Sequence, residues 1–402
     1  ALDFGKELSG TADKTSVAVS RSPTSIASRA MSYRGVSSLT GAYFLDKQAV
    51  VIDFGVRLTK IGFASESRPQ HVLPSVRFPS PRHQSSDFTT VASEAEWVET
   101  LDRFLPEVFL HHLSVSPKDR RVVLCDAALS PAPFRAALAQ VLFRRLAVAS
   151  VTFALDLVLP LYLTGLSTGI VIDVGYTSSR IMPTFSGVPI LSAYNTAAGG
   201  QSVNTALRRR LAESLPGSSW LDDESAVDDL KTRACYVACD FGEGESSIGT
   251  ENPVTISLRA HGKVTVPGAA RWEPAEALFS NTGRELVDEC MTIPEAFVQV
   301  VQQCPVDVRP IVLQNVVVCG GGAMLRGFLP RLASELRKAL LEQADTVALA
   351  DRLLLTPLNF APVCAVWTGG AIYGALEGAS DYTSDDYERG VPLPDWTRDG
   401  FV

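Results

Sequence analysis

The sequence predicts an α/β protein of two similar halves facing each other across a cleft, and three stretches carry that prediction. The first is Ala49 to Phe63, reading A-V-V-I-D-F-G-V-R-L-T-K-I-G-F. Its opening apolar run is too short for a helix and rich in β-branched residues, so it reads as a buried strand. Asp53, Phe54 and Gly55 stop that strand, and a second apolar segment resumes at Leu58. This is a hairpin, with Gly55 expected to supply positive φ at the turn. The second stretch, Gly169 to Pro183, reads G-I-V-I-D-V-G-Y-T-S-S-R-I-M-P and repeats strand, Asp, spacer, Gly and turn about 120 residues later. The third, V-V-V-C-G-G-G at 316–322, ends a strand in glycines and leads into a helical pattern. One D-x-G turn is weak evidence, but two copies and a Gly-rich third turn are strong.

Turns of this kind suit phosphate chemistry. Consecutive backbone N–H groups at a tight turn can surround an anion, and glycine lets the backbone come close. An Asp at the mouth of each turn can hold the water shell of Mg²⁺, a cation that keeps its waters. Asp53 and Asp173 are therefore the metal-side candidates, acting through water, and two facing turns would clamp a nucleotide's phosphates.

The bulk numbers agree with this picture and remove other classes. A chain of 402 residues buries a large core and suggests two or three domains. A net charge of −8 argues against a general nucleic-acid binder, which shows a basic footprint. No apolar run reaches bilayer-spanning length, so membrane insertion is not expected. Seven cysteines without a C-x-x-C pair, mostly within apolar runs such as those of Cys125, Cys319 and Cys364, read as reduced core residues of an intracellular protein.

In chain order, residues 1–45 are Ser/Thr/Ala-rich without apolar periodicity and read as a flexible leader. After the first hairpin a short polar segment with P-R-H-Q at 81–84 runs almost at once into a helical pattern through Trp97, Leu101, Leu105 and Val108. Lys118, Arg120 and Arg121 form a basic cluster read as a solvated turn before the strand at 122–125, and a helix is expected at 131–143. Gly199 and Gly200 open a further helix, offering free N–H groups, with Arg208, Arg209 and Arg210 on its expected solvent face. Asp222, Asp223 and Glu224 give the next helix an acidic first turn, which complements its dipole. A Gly/Ser-rich loop at 242–249 then separates this helix from a strand region at 254–266.

These motifs, in this order, resemble actin and the actin-related proteins. P-A-E-A-L-F at 274–279, P-V-D-V-R at 305–309 and V-W-T-G-G-A at 366–371 are similar to family segments, and the likeness runs from about Gln48 to the C-terminus. The resemblance implies an actin-like fold: duplicated ribonuclease-H-like domains around a nucleotide cleft, with a shortened second subdomain. The first domain would take 46–165 plus 363–402, with 75–96 as its reduced small subdomain. The second would take 166–362, with 199–288 as an inserted subdomain.

By the same resemblance, Asp53, Gly55, Lys60, Asp173, Gly175, Gly200, Lys231, Gly320, Gly321 and Met324 match nucleotide-contacting positions, and Arg57 stands in the first phosphate turn. The implied cofactor is ATP or ADP with Mg²⁺. Departures fall where hydrolysis would occur. Val56 and Arg57 replace a Ser-Gly pair, Tyr176 an acidic residue, Arg180 a His and Asp156 a Gln that order the attacking water. Thr232, Leu325 and Val363 replace adenosine contacts. Losing one polar contact at a reaction centre costs about 2.7–4 kcal/mol of barrier, so turnover is not expected and no residue is assigned a catalytic role. The cleft then either binds nucleotide without turnover or persists as a scaffold. Asp156 beside a γ-phosphate would also repel it unless a metal or Arg57 compensates.

The docking groove of actin-like filaments lies between the segments matching Tyr162 to Thr168 and Trp367 to Leu376, where Gly369, Gly370, Ala371 and Gly374 are expected to keep it open. In the family the small subdomain is longer by roughly two dozen residues and carries the loop that inserts into the next subunit. A groove without that loop implies a cap at the pointed end. H-H-L-S-V-S-P-K-D-R-R-V-V-L at 111–124, T-R-A-C-Y-V at 232–237 and Q-C-P-V-D-V-R at 303–309 most resemble the pointed-end actin-related subunit of dynactin. The partners implied are actin-like filament subunits and other pointed-end dynactin subunits that serve dynein, in the cytoplasm and cytoskeleton. A nuclear actin-related subunit of a chromatin-remodelling complex and a weak ATPase are the alternatives.

Overall fold

The computed structural model describes residues 48–75, 93–215, 217–238, 252–280, 290–376 and 381–397. The expected leader, most of the reduced subdomain at 75–96, Cys239 and the loop at 242–249 lie outside the described residues.

Two sheets organise the chain. The first holds β1 (Val50–Phe54), β2 (Leu58–Phe63), β3 (His71–Pro74), β4 (Arg121–Asp126) and β5 (Ser150–Leu155), in the order β5-β4-β1-β2-β3, with the short strand Tyr382–Thr383 beyond β5. β1 and β2 form an antiparallel hairpin, and β4 lies parallel to β1 on its other side. Val50, Val51 and Ile52 are fully buried, which is why β1 reads as an unbroken apolar run rather than an alternating one.

The second sheet repeats the plan. It holds β6 (Gly169–Val174), β7 (Ser178–Phe185), β8 (Val188–Pro189) and β9 (Asn195–Ala198), the last pairing with β7. A separate hairpin follows, β10 (Val254–Leu258) and β11 (Gly262–Val266). The chain then returns as β12 (Val316–Cys319) and β13 (Leu355–Thr356), giving the order β13-β12-β6-β7-β8. β6 and β7 are antiparallel, and β12 lies parallel to β6 as β4 does to β1.

The principal helices are α1 (Glu94–Glu107), α2 (Ala132–Gln140), α3 (Gly200–Ser214), α4 (Glu224–Ala234), α5 (Ile293–Gln303), α6 (Phe328–Leu341) and α7 (Ala365–Ala375). Ser93 starts α1 through a capping box with Glu96, and Thr292 starts α5 in the same way with Glu295. A single π-helical turn ends α1 at Val108–His112, and another ends α2 at Val141–Arg145.

Of the basic cluster before β4, Lys118 is exposed in a turn as expected, but the two arginines are not solvated. Arg120 is buried and donates to the carbonyls of Ser116 and Gln48, and Arg121 pairs with Asp381 at 2.9 Å. Both guanidiniums reach acceptors on distant segments, Arg121 also donating to the Gly374 carbonyl at 3.0 Å.

One apolar cluster joins the two sheets. Val51 and Val123 of the first meet Val171 and Val317 of the second through Leu157, Leu159 and Trp367. Trp367 is fully buried and its indole N–H donates to the Val51 carbonyl at 3.0 Å. This shared floor fixes the two hairpins on either side of one cleft. Helices α3 and α4 and the β10–β11 hairpin keep their own core around Leu207, Leu211, Val227, Leu230, Ile256 and Val266.

Candidate functional site

The site begins with hairpin register. In the first hairpin Asp53 faces Lys60 across the strands. The Lys60 ammonium donates to Asp53 Oδ2 at 2.9 Å, with both side chains about nine-tenths buried. Burial pulls the ammonium toward neutrality, but Asp53 outweighs it and holds the Lys60 pKa above the usual lysine value. Gly55 does not take positive φ, contrary to expectation. It is required by close approach instead: a Cβ there would sit 2.7 Å from the Leu58 carbonyl oxygen and 3.3 Å from Lys60 Nζ. Ser75, just past β3, supports the turn by donating its hydroxyl to the Gly55 carbonyl and its N–H to the Arg57 carbonyl, the latter at 2.9 Å.

The second hairpin repeats the register, so that Asp173 faces Arg180. Arginine has two prongs where lysine has one. Arg180 Nη2 donates to Asp173 Oδ2 and Nη1 to Asp156 Oδ2, both at 2.5 Å. Asp156 follows β5 of the first sheet, so this guanidinium ties one half of the molecule to the other. Burial pushes the Asp156 carboxyl up to about 6, with Arg180 pulling against it. Burial likewise opposes the charge on Arg180, yet Asp156 and Asp173 hold its pKa well above the ordinary arginine value. The compensating cation for Asp156 is thus Arg180 and not Arg57. The third turn closes over the same acid. Gly320 has φ of +90°, and a Cβ there would lie 2.5 Å from Asp173 Oδ1.

Even the parallel neighbours match. Cys125 stands beside Asp53 in β4 and Cys319 beside Asp173 in β12. Burial, first of all, raises both thiols well above their usual range, so neither supplies a thiolate nucleophile.

Arg57 reaches across the cleft. Its guanidinium lies 4.7 Å from the centre of the Tyr176 ring and 3.3 Å from Asp228 Oδ2 on α4. Lys231 meets the same groups: its ammonium is 2.6 Å from Asp228 Oδ1, 3.3 Å from the Gly200 carbonyl and 5.4 Å from the Tyr176 ring centre. The Tyr176 hydroxyl donates to Glu224, which also takes Arg208 and, at 2.9 Å, the Asn204 amide. Burial and then Glu224 raise the Tyr176 pKa above its ordinary value. Arg208 therefore does not face solvent as periodicity suggests, and half-buries itself in this network.

The structure thus gathers Asp53, Arg57, Lys60, Asp173, Gly175, Gly200, Lys231 and Gly320 around one cleft. Gly321 sits 3.9 Å from Val363 as measured from an added Cβ, and Met324 is 57 % exposed on the turn that follows. Asp228 and Asn204 escaped sequence reading. Their one signal was that Asp228 lies three residues before Lys231, which puts both on one helix face.

Several turn N–H groups expected to face an anion are committed within the chain. Gly55 donates to Leu58, Gly175 to Asp173, Gly200 to Gly175 and Gly320 to Pro362, at 2.9–3.2 Å. Hydrated Mg²⁺ requires carboxylate oxygens free to accept from its waters. Asp53 and Asp173 each already hold a side-chain cation on Oδ2, so positive charge from the chain itself stands where that ion would bind.

The expected groove also differs. Gly369 packs on the Leu159 backbone, Gly370 on Cys125 and Gly374 on Val123, where an added Cβ would come within 2.1–2.9 Å. These small residues let α7 lie close against its own sheet and do not hold a groove open. What this region presents is the edge-to-face pair Tyr162–Tyr373, with ring centres 5.8 Å apart, and the exposed Leu166.

A duplicated hairpin sheet with an acid on each inner strand is consistent with an actin-like fold, and the chain belongs to the actin family, whose model matches residues 95–388. Among individual proteins it is similar to actin-like protein 9 of Bos taurus, 28 % identical over 359 residues that cover 82 % of each chain.

Proposed function

We propose that this chain is a non-catalytic actin-related subunit that ends an actin-like filament at its pointed end, in the manner of the pointed-end subunit of dynactin. The observation that carries the reading is the short passage between β3 and α1. β3 ends at Pro74 and Ser93 already caps α1, leaving too few residues for the inserting loop that the family resemblance implies. A subunit without that loop can be accepted by a filament yet offers the next subunit little to grip.

The cleft chemistry supports the non-catalytic part. Four of the departures from the family pattern around the phosphate turns partner one another: Arg57 with Tyr176, Arg180 with Asp156. Groups engaged in this way are not available to position water for attack on a phosphate. Neither bound ATP or ADP with Mg²⁺ nor ATP turnover is needed for the role, because assembly uses surfaces outside the cleft. The partners in this reading are actin-like filament subunits and the other pointed-end dynactin subunits, in the cytoplasmic cytoskeleton. Among the described residues no helix is long and apolar enough to cross a membrane.

The test is to add the purified chain to short actin-like filaments and follow subunit exchange at each end. Exchange should stop at the pointed end alone. Blocking at the barbed end, or continued exchange at both, would remove the proposal.

A further inference from the structure

Three features of the cleft floor point one way. The two hairpins place a cation opposite each acid at the same register, Lys60 on Asp53 and Arg180 on Asp173. All four side chains are at least about four-fifths buried. A third carboxylate, Asp156, with a side chain 6 % exposed, joins the same guanidinium. Three acids converging on one low-dielectric floor repel one another and need positive charge between them. In a nucleotide-binding cleft a divalent cation would meet that need. Here the chain supplies the charge itself.

We propose that Arg180, assisted by Lys60, takes the place of a divalent cation at the base of the cleft, so that the closed arrangement of the two halves does not depend on Mg²⁺. The fork of Arg180 spans Asp156 of the first half and Asp173 of the second, as a bridging metal would span two ligands, but with fixed directions and no waters to retain. Lys60 neutralises Asp53, leaving one net negative charge among Asp53, Asp156 and Asp173. Arg57 adds a second tie at the mouth, through Tyr176 and Asp228. This inference concerns the cleft alone and stands or falls independently of a role at a filament end.

The experiment is thermal unfolding of the full chain in EDTA, in Mg²⁺ and in Mn²⁺, without nucleotide, together with metal analysis of the purified protein. The wild type should unfold at the same temperature in all three and carry no stoichiometric metal. Arg180→Ala should lower the unfolding temperature by several degrees in EDTA, since it leaves two acids buried without a counter-charge. Millimolar Mg²⁺ or Mn²⁺ should restore part of that loss. Arg180→His, a milder change, provides the same comparison if the alanine variant does not accumulate folded. A wild type stabilised by Mg²⁺, or one metal ion per chain, would overturn the proposal. So would Arg180 variants as stable as the wild type, and so would variants that are destabilised but gain nothing from either metal.

Discussion

The two D-x-G hairpins are copies of one device that have been completed differently. Both set an acid at the end of the inner strand and a cation seven residues later, directly across the hairpin. In the first the cation is Lys60, a point charge that serves Asp53 and stays within its own hairpin. In the second it is Arg180, whose fork keeps Asp173 and also takes Asp156 from the opposite sheet. The first turn compensates for its purely local lysine with Arg57, which leaves the hairpin altogether to meet Tyr176 and Asp228. A local ion pair steadies a turn, whereas a forked or long-reaching cation joins domains, so the choice between Lys and Arg decides whether a hairpin acts alone or couples the two halves.

The sharpest way to break this comparison is to remove each hairpin's cation in turn and measure stability by urea unfolding. Stripping one partner from a buried pair costs about 3–5 kcal/mol. Arg180→Leu should fall at the upper end, because it abandons two acids, and Lys60→Leu at the lower end, because it abandons one. Equal losses would mean that Asp156 adds nothing to the second hairpin.

A gentler substitution turns the second hairpin into the first. Arg180→Lys should keep Asp173 and release Asp156, losing about 1.5–3 kcal/mol, the worth of one charge-assisted hydrogen bond. Adding Asp156→Leu to that variant should recover part of the loss in the same assay, since no buried acid is then left without a partner.

A smaller effect follows from pH. Burial lifts Asp156 to about 6, above its unfolded value. A carboxyl raised on folding favours the native state while protonated, and that contribution is lost as pH climbs through about 6. Wild type should therefore lose stability relative to Asp156→Asn between about pH 4 and pH 6, by roughly 2 kcal/mol. Chemical unfolding across that range checks it, and a constant difference would show that Arg180 holds Asp156 ionised throughout.

The smallest effect should belong to the strap at the cleft mouth. A double-mutant cycle of Arg57→Ala and Tyr176→Ala should give a coupling of about 0.5–2 kcal/mol, the range of a partly desolvated cation–π contact. Zero coupling would show that the guanidinium reaches Asp228 without help from the ring.

Much of the fold was legible because its signals are local. Buried strands announce themselves as short β-branched runs, as in residues 49–52, and the first helix by its apolar spacing through Trp97, Leu101 and Leu105. The glycines of α7 were misread for a physical reason. Small residues mark a close approach, but sequence does not say whether the approaching backbone belongs to another subunit or, as here, to Leu159 of the same chain. Arg120 and Arg208 were misread in a similar way, since a charged side chain on an apparently polar turn or face gives no sign of a buried acceptor far along the chain.

What the sequence determined by itself was therefore the duplicated framework: two strand-Asp-Gly turns, a Gly-rich third, and a cation spaced to face each acid. Hairpin register is local, because side chains alternate with period two and the turn fixes which residues oppose. The tertiary structure alone decided that Arg180 would meet Asp156 and that Arg57 would meet Tyr176 and Asp228. Those pairs are separated by 24 residues and, for Asp228, by 171. They exist only because a shared apolar floor around Trp367 docks one sheet against the other, and no spacing rule within a strand or helix encodes that docking.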